Sequence, residues 1–170
     1  MKIQGLDVSV ALLAGASCLL MVIQVPVWAV FIGWAWYFTL GAKPELIKKG
    51  ILPSIAGSVL ACVAFPLIGA LSAVMPPLAA TIISVIITVF LLMLTLKVPI
   101  LNFSLMSFNA YSCIFVGYAA GTYLVIDGMP ALLNAGVWIT GGNILGLIFG
   151  WLSILFSTSR KQKADEERSA

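Results

Sequence analysis

The chemistry open to this chain is that of uncharged polar groups set in apolar surroundings. Its 170 residues include no histidine, and no Asp, Glu, Lys or Arg falls in the middle of an apolar stretch. A buried general base, a proton relay or a catalytic metal needs such groups, so the sequence reads as a non-enzyme that carries no metal or cofactor. Cys18, Cys62 and Cys113 lie in apolar stretches without the paired spacing of metal ligands and read as small hydrophobes. What remains is a set of hydroxyls, amides and aromatic rings: Trp34, Tyr37, Ser54 and Ser58, then Asn109, Tyr111 and Ser112, then Thr140 and Asn143. Groups of this kind offer exchangeable hydrogen bonds to an uncharged solute and nothing to balance a charge.

Asn109 and Asn143 carry the most polarity. A primary amide costs free energy in hydrocarbon and turns toward protein or water. Two roles stay open for each, an ordinary hydrogen bond between helices or part of the wall of a solute path approached from both sides near mid-membrane. Gly136, Thr140 and Asn143 recur at steps of four and three and form a narrow polar stripe, where a path is expected to run. A neighbouring stripe of Gly142, Gly146 and Gly150, and the pair Gly117 and Gly121, reads as helix packing, since small residues let backbones approach closely. The aromatic run Phe31, Trp34, Tyr37 and Phe38 suits a constriction that excludes hydrated ions, or interfacial packing.

The elements that position these groups follow from composition. Hydrophobic residues make up 62% of the chain and charged residues 9%, more apolar surface than a water-soluble domain can hide. Lipid is the expected solvent, and at about 20 residues per crossing the chain has room for six helices and little else. Apolar length and breaks at Pro26, Pro76-Pro77, Pro99 and Pro130 predict spans at about 8–25, 27–42, 51–73, 78–96, 103–126 and 131–157. The expected organisation is an all-α polytopic domain over 1–158, with halves of about 1–75 and 76–158, and a charged tail over 159–170 that is frayed or disordered. With six spans and both termini cytoplasmic, Lys2, Lys43, Lys48, Lys49, Lys97, Arg160, Lys161, Lys163 and Arg168 all fall on the cytoplasmic side of an inner membrane, as the positive-inside rule requires. Lys2 leads directly into a retained first span rather than a cleaved signal. Asp7 and Asp127 sit near the membrane surfaces, as helix-capping or topological acids.

Weak similarity links the halves: Val25-Pro26 with Val98-Pro99, Phe31 to Phe38 with Phe108 to Phe115, and Ala56 to Cys62 with Gly141 to Leu147. With three spans per half, the second enters the bilayer from the opposite side, as in inverted-repeat channels and transporters. The segment Phe31 to Gly41, the basic loop after it, the Gly/Ser/Ala-rich span, the Phe/Gly/aromatic pattern at Phe108 to Gly121 and the Gly-rich close at Gly141 to Trp151 resemble the small bacterial inner-membrane proteins grouped as domain of unknown function 1097. That resemblance implies a size and span count but no activity. The paired NPA motifs of aquaporins and the Asn-Pro-Ala-Pro motif of acetate transporters are absent. The sequence therefore points to a passive channel or facilitator for a small uncharged solute such as urea, an amide or ammonia. The protein is expected to be a homo-oligomer in the lipid bilayer, with no nucleic-acid partner. A non-transporting accessory subunit and a gradient-driven export carrier are the alternatives.

Overall fold

The computed structural model describes the backbone of residues 3–169 and side chains from Ile3 to Thr158. The described residues form six α-helices: α1 (Gly5–Ser17), α2 (Val27–Thr39), α3 (Glu45–Ser72), α4 (Pro77–Thr95), α5 (Ser104–Ala120) and α6 (Ala131–Ser169). Short 3₁₀ segments, Cys18–Ile23 and Pro99–Leu101, extend α1 and introduce α5. Among the described residues four segments are long and apolar enough to cross a membrane: Gly5–Ile23, Glu45–Ser72, Pro77–Thr95 and Ala131–Thr158. The other two helices are short. At about 1.5 Å per residue α2 extends about 20 Å and α5 about 26 Å, against a hydrocarbon core of about 30 Å.

The helix boundaries depart from the expected spans where local chemistry intervenes. Glu45 begins α3 six residues before the expected start, because the charged segment through Lys49 contributes to its first turns instead of breaking it. A carboxylate in the first turn of a helix is favoured by the positive end of the helix dipole. The fifth span closes at Ala120 rather than 126, since Gly121 adopts φ 63° and turns the chain into an irregular loop that leads to α6. Beyond Thr158 the backbone of α6 continues as helix to Ser169, where a frayed or disordered tail was expected. That segment is rich in Lys, Gln, Ala, Glu and Arg, which lose little freedom in a helix.

Surface and interior are arranged for a nonaqueous solvent. On α4 the buried residues are Ala80, Ser84, Thr88 and Leu92, spaced by four, while Leu78, Ile82, Ile86 and Phe90 point outward. The hydroxyls of Ser84 and Thr88 donate to the carbonyls of Ala80 and Ser84 one turn back, at 2.7 and 2.8 Å. A small hydroxyl stripe thus packs inward and the large aliphatic side chains face out.

Helix α6 is central. It packs along α2, α1 and α3, while α3 packs along α5, α4 and α6. Backbones meet at two crossings. A Cβ at Gly33 of α2 would collide with the Asn143 carbonyl of α6, and one at Gly57 of α3 would collide with the Ser107 carbonyl of α5. Ser9 of α1 donates to the Ser153 carbonyl near the end of the buried part of α6, at 2.9 Å, so the chain's beginning lies beside that end. At the other end of the bundle the Trp28 indole of α2 donates to the Thr122 carbonyl after α5, at 3.2 Å.

Candidate functional site

Buried polar atoms have few ways to be satisfied between helices, because backbone groups are already engaged in helical bonds. Among the described residues the buried hydroxyls solve this in one way. Ser9, Ser17, Ser54, Ser84, Thr88, Ser107 and Ser153 each donate to a carbonyl of their own helix, three or four residues back. Ser58 of α3 and Thr140 of α6 are the exceptions: both are buried and neither oxygen has a hydrogen-bond partner.

These two hydroxyls line the same groove. A groove of about 580 Å³ runs between α3 and α6, lined on α3 by Ile55, Ser58, Val59, Cys62, Val63 and Pro66, and on α6 by Leu133, Gly136, Val137, Thr140, Gly141 and Ile144. Each set follows the spacing of one helix face. Pro66 lies within α3 and supplies no N–H to the carbonyl of Cys62 one turn back. Apart from Cys62 and the glycines at 136 and 141, the rest of the lining is aliphatic. A smaller cleft of about 320 Å³ lies on the adjoining face of α6, sharing Gly141 and Ile144 with the groove and continuing to Trp138, Gly142 and Leu145.

Asn143 lies one turn from Thr140 but is not part of the groove lining. Its backbone faces Gly33 of α2 and its side chain is fully buried with neither amide atom hydrogen-bonded. The Cys113 thiol of α5 reaches toward it without completing a hydrogen bond. Among the described residues the indole N–H groups of Trp34 and Trp138 are the other unpartnered buried side-chain groups. Trp34 packs by its ring, stacked on Phe31 at 6.0 Å and tilted against Phe149 at 5.6 Å.

The remaining residues singled out by sequence are dispersed. Tyr37 is fully buried, but its hydroxyl donates to the Ala42 carbonyl at 3.0 Å and clamps the turn after α2, where Gly41 and Ala42 both take positive φ. Asn109 is half-buried and spends its amide on the Leu105 carbonyl of its own helix, at 2.8 Å. Tyr111 is tied to Thr88 of α4 at 2.7 Å, linking α5 to α4. Ser112 is exposed and bonds back to Phe108. The structure therefore gathers Ser58 and Thr140, with Asn143 near them, and leaves the others at separate packing positions.

The glycines divide similarly. Gly142, Gly146 and Gly150 face α2, against Pro26 and Ala29, against the Val30 carbonyl and Gly33, and against the Tyr37 ring. Gly117 accommodates Ile139 and Trp28, whereas Gly121 has nothing near its missing Cβ and serves as the turn after α5.

Sequence reasoning passed over Asn134. It is fully buried at the start of α6, accepts from the Ile126 N–H at 3.2 Å and donates to the carbonyls of Ile126 and Met129 at 3.4 and 3.1 Å. An Asn four residues after Pro130 is the signal that could have marked it as a loop anchor. The hydroxyl stripe of α4 was also legible, as Ala80, Ser84, Thr88 and Leu92 at steps of four.

The architecture defines a class, an all-helical bundle with four helices suited to a bilayer and no cluster of metal-ligating side chains among the described residues. The chain belongs to the family described as protein of unknown function (DUF1097), whose model matches residues 7–158. No curated protein and no solved structure matches it.

Proposed function

We propose that this protein is a passive facilitator of an uncharged, hydrogen-bonding solute across the inner membrane, with the groove between α3 and α6 as its solute site. The observation that carries the reading is the pair Ser58 and Thr140, the only buried hydroxyls among the described residues left without a partner, lining one groove. Unpaired buried polar groups cost about 1–3 kcal/mol each, and a passing solute that supplies the missing bond offsets that cost. The protein performs no catalysis and carries no cofactor.

Six crossings with both termini cytoplasmic complete the proposal. The contact between the start of α1 and the end of buried α6 supports termini on one side, and the clustering of basic residues at alternate ends of the predicted spans supports the orientation. An inverted repeat of α1–α3 and α4–α6 is supported by the exchange of neighbours: α2 lies on α6 as α5 lies on α3, and α1 on α6 as α4 on α3. The two short helices, α2 and α5, hold the same place in each half, a pattern that accompanies midplane sites in transport folds. Assembly into a homo-oligomer belongs to the same proposal.

The test is stopped-flow light scattering on proteoliposomes loaded with urea, acetamide, formamide or glycerol. Flux above empty liposomes for at least one solute, reduced by Ser58→Ala with Thr140→Val, is expected. Flux equal to empty liposomes for all four overturns the facilitator reading. The sideways opening of the groove favours a second reading, a non-transporting subunit that seats a helix of a membrane partner there; co-purification of a stoichiometric partner would support it.

A further inference from the structure

The groove differs from an aqueous pore in where it opens. Its rim consists of Ile55, Val59 and Val63 on α3 with Leu133 and Val137 on α6, which are 40–54% exposed on the flank of the bundle. Its floor holds Ser58 and Thr140, only 3% and 8% exposed. From Ser58 the α3 side continues through Cys62 and Val63 to Pro66, and the antiparallel α6 side from Thr140 through Gly136 to Leu133. The polar floor therefore lies at the middle of α3 and within the first third of α6, and the aliphatic walls run from there toward one end of the bundle.

We infer that this groove takes its ligand sideways from the hydrocarbon phase, and that the ligand is an uncharged amphiphile: an alkyl body along the aliphatic walls with one neutral hydrogen-bonding group, such as a primary amide or an alcohol, on Ser58 and Thr140. The inference deepens the facilitator reading by naming the solute class, and rests on that reading only for the groove's role in passage.

Three features favour this class. A volume of about 580 Å³ lies within the range that encloses a drug-sized ligand, about 300–1,000 Å³, and far exceeds a urea-sized molecule. No ionisable Asp, Glu, Lys or Arg lines the groove, so a charged head group would enter without a counter-charge. For a neutral amphiphile moving between leaflets, the midplane is where its polar group lacks partners, and two free hydroxyls at that depth replace the lost hydration.

Photolabelling in lipid nanodiscs tests the inference. The probes are a hexadecanamide and a hexadecane of matched length, each carrying a mid-chain diazirine, with labelled peptides mapped by mass spectrometry. The amide probe is expected to label peptides containing Ile55 to Val63 and Leu133 to Val137 about fivefold more than the alkane probe, the ratio one hydrogen bond supplies. Ser58→Ala with Thr140→Val removes the excess, and Thr140→Ser retains it. Equal labelling by the two wild-type probes overturns the inference without reliance on any variant. So does an excess confined to other helices, or equal labelling by a matched hexadecanoate probe at pH 9. Small-amide flux without amide-selective labelling sinks the inference and leaves the facilitator reading intact, whereas selective labelling without any flux does the reverse.

Discussion

Asn134 and Asn143 stand on the same helix, nine residues apart, and both are fully buried, yet one makes three hydrogen bonds and the other none. The difference lies in what faces them. Asn134 meets the irregular loop before α6, whose peptide groups at Ile126 and Met129 have no helical partners and take the amide as a substitute. Asn143 meets the sides of α2 and α5, whose backbone groups are spent within their own helices. Identity and burial alone do not tell an anchor from an unsatisfied group; the regularity of the opposing backbone does.

The comparison can be broken most severely at its shared scaffold. Gly33→Leu drives a side chain into the Asn143 carbonyl and separates α2 from α6, and the expected outcome is loss of monodisperse folded protein by size-exclusion chromatography in detergent. Recovery of wild-type yield and elution would show that the crossing is not tight. Next in size, Asn134→Leu should lower stability by about 2 kcal/mol, because it strands loop groups that then lack partners. Thermal unfolding in nanodiscs would read this as a drop of several degrees, and an unchanged midpoint would refute the anchor role.

Asn143→Leu should act oppositely. Removing a buried amide without partners is expected to raise stability by about 1 kcal/mol, a gain that the same assay would detect; a loss as large as that of Asn134→Leu would erase the contrast. Smallest is Tyr111→Phe, which cuts the 2.7 Å link to Thr88 and should cost about 0.6 kcal/mol, the average for interhelical hydrogen bonds in membranes. A change no larger than the scatter between preparations would place that bond among the negligible ones.

Much of the architecture was legible in the chain. Prolines at 26, 76 and 130 lie just before helices and Pro77 and Pro99 open helical segments, because proline ends the preceding helix and is tolerated at a helix start, and the long apolar runs between them gave the helix order. The step-of-four glycines of α6 were visible as a close-packing face, though not that α2 would be the helix that meets it. Boundaries set by a single backbone conformation were less visible. Gly121 reads equally well as a packing residue or as a left-handed cap, and only the latter ends α5 at Ala120.

The candidate site shows the same division. Composition and spacing alone determined that the chain's buried chemistry is uncharged, that its elements are apolar helices, and that Ser58, Thr140 and Asn143 belong to buried faces. Those properties are local, fixed by side-chain type and by the helical repeat. Which hydroxyls remain free was decided by tertiary structure. Ser54 and Ser58 share a helix face one turn apart, yet Ser54 bonds back to Gly50 and Ser58 lines the groove without a partner. Ser58 turns instead to the face of α6 that carries Gly136, Val137 and Thr140, and the Thr140 hydroxyl across the groove does not complete a hydrogen bond with it.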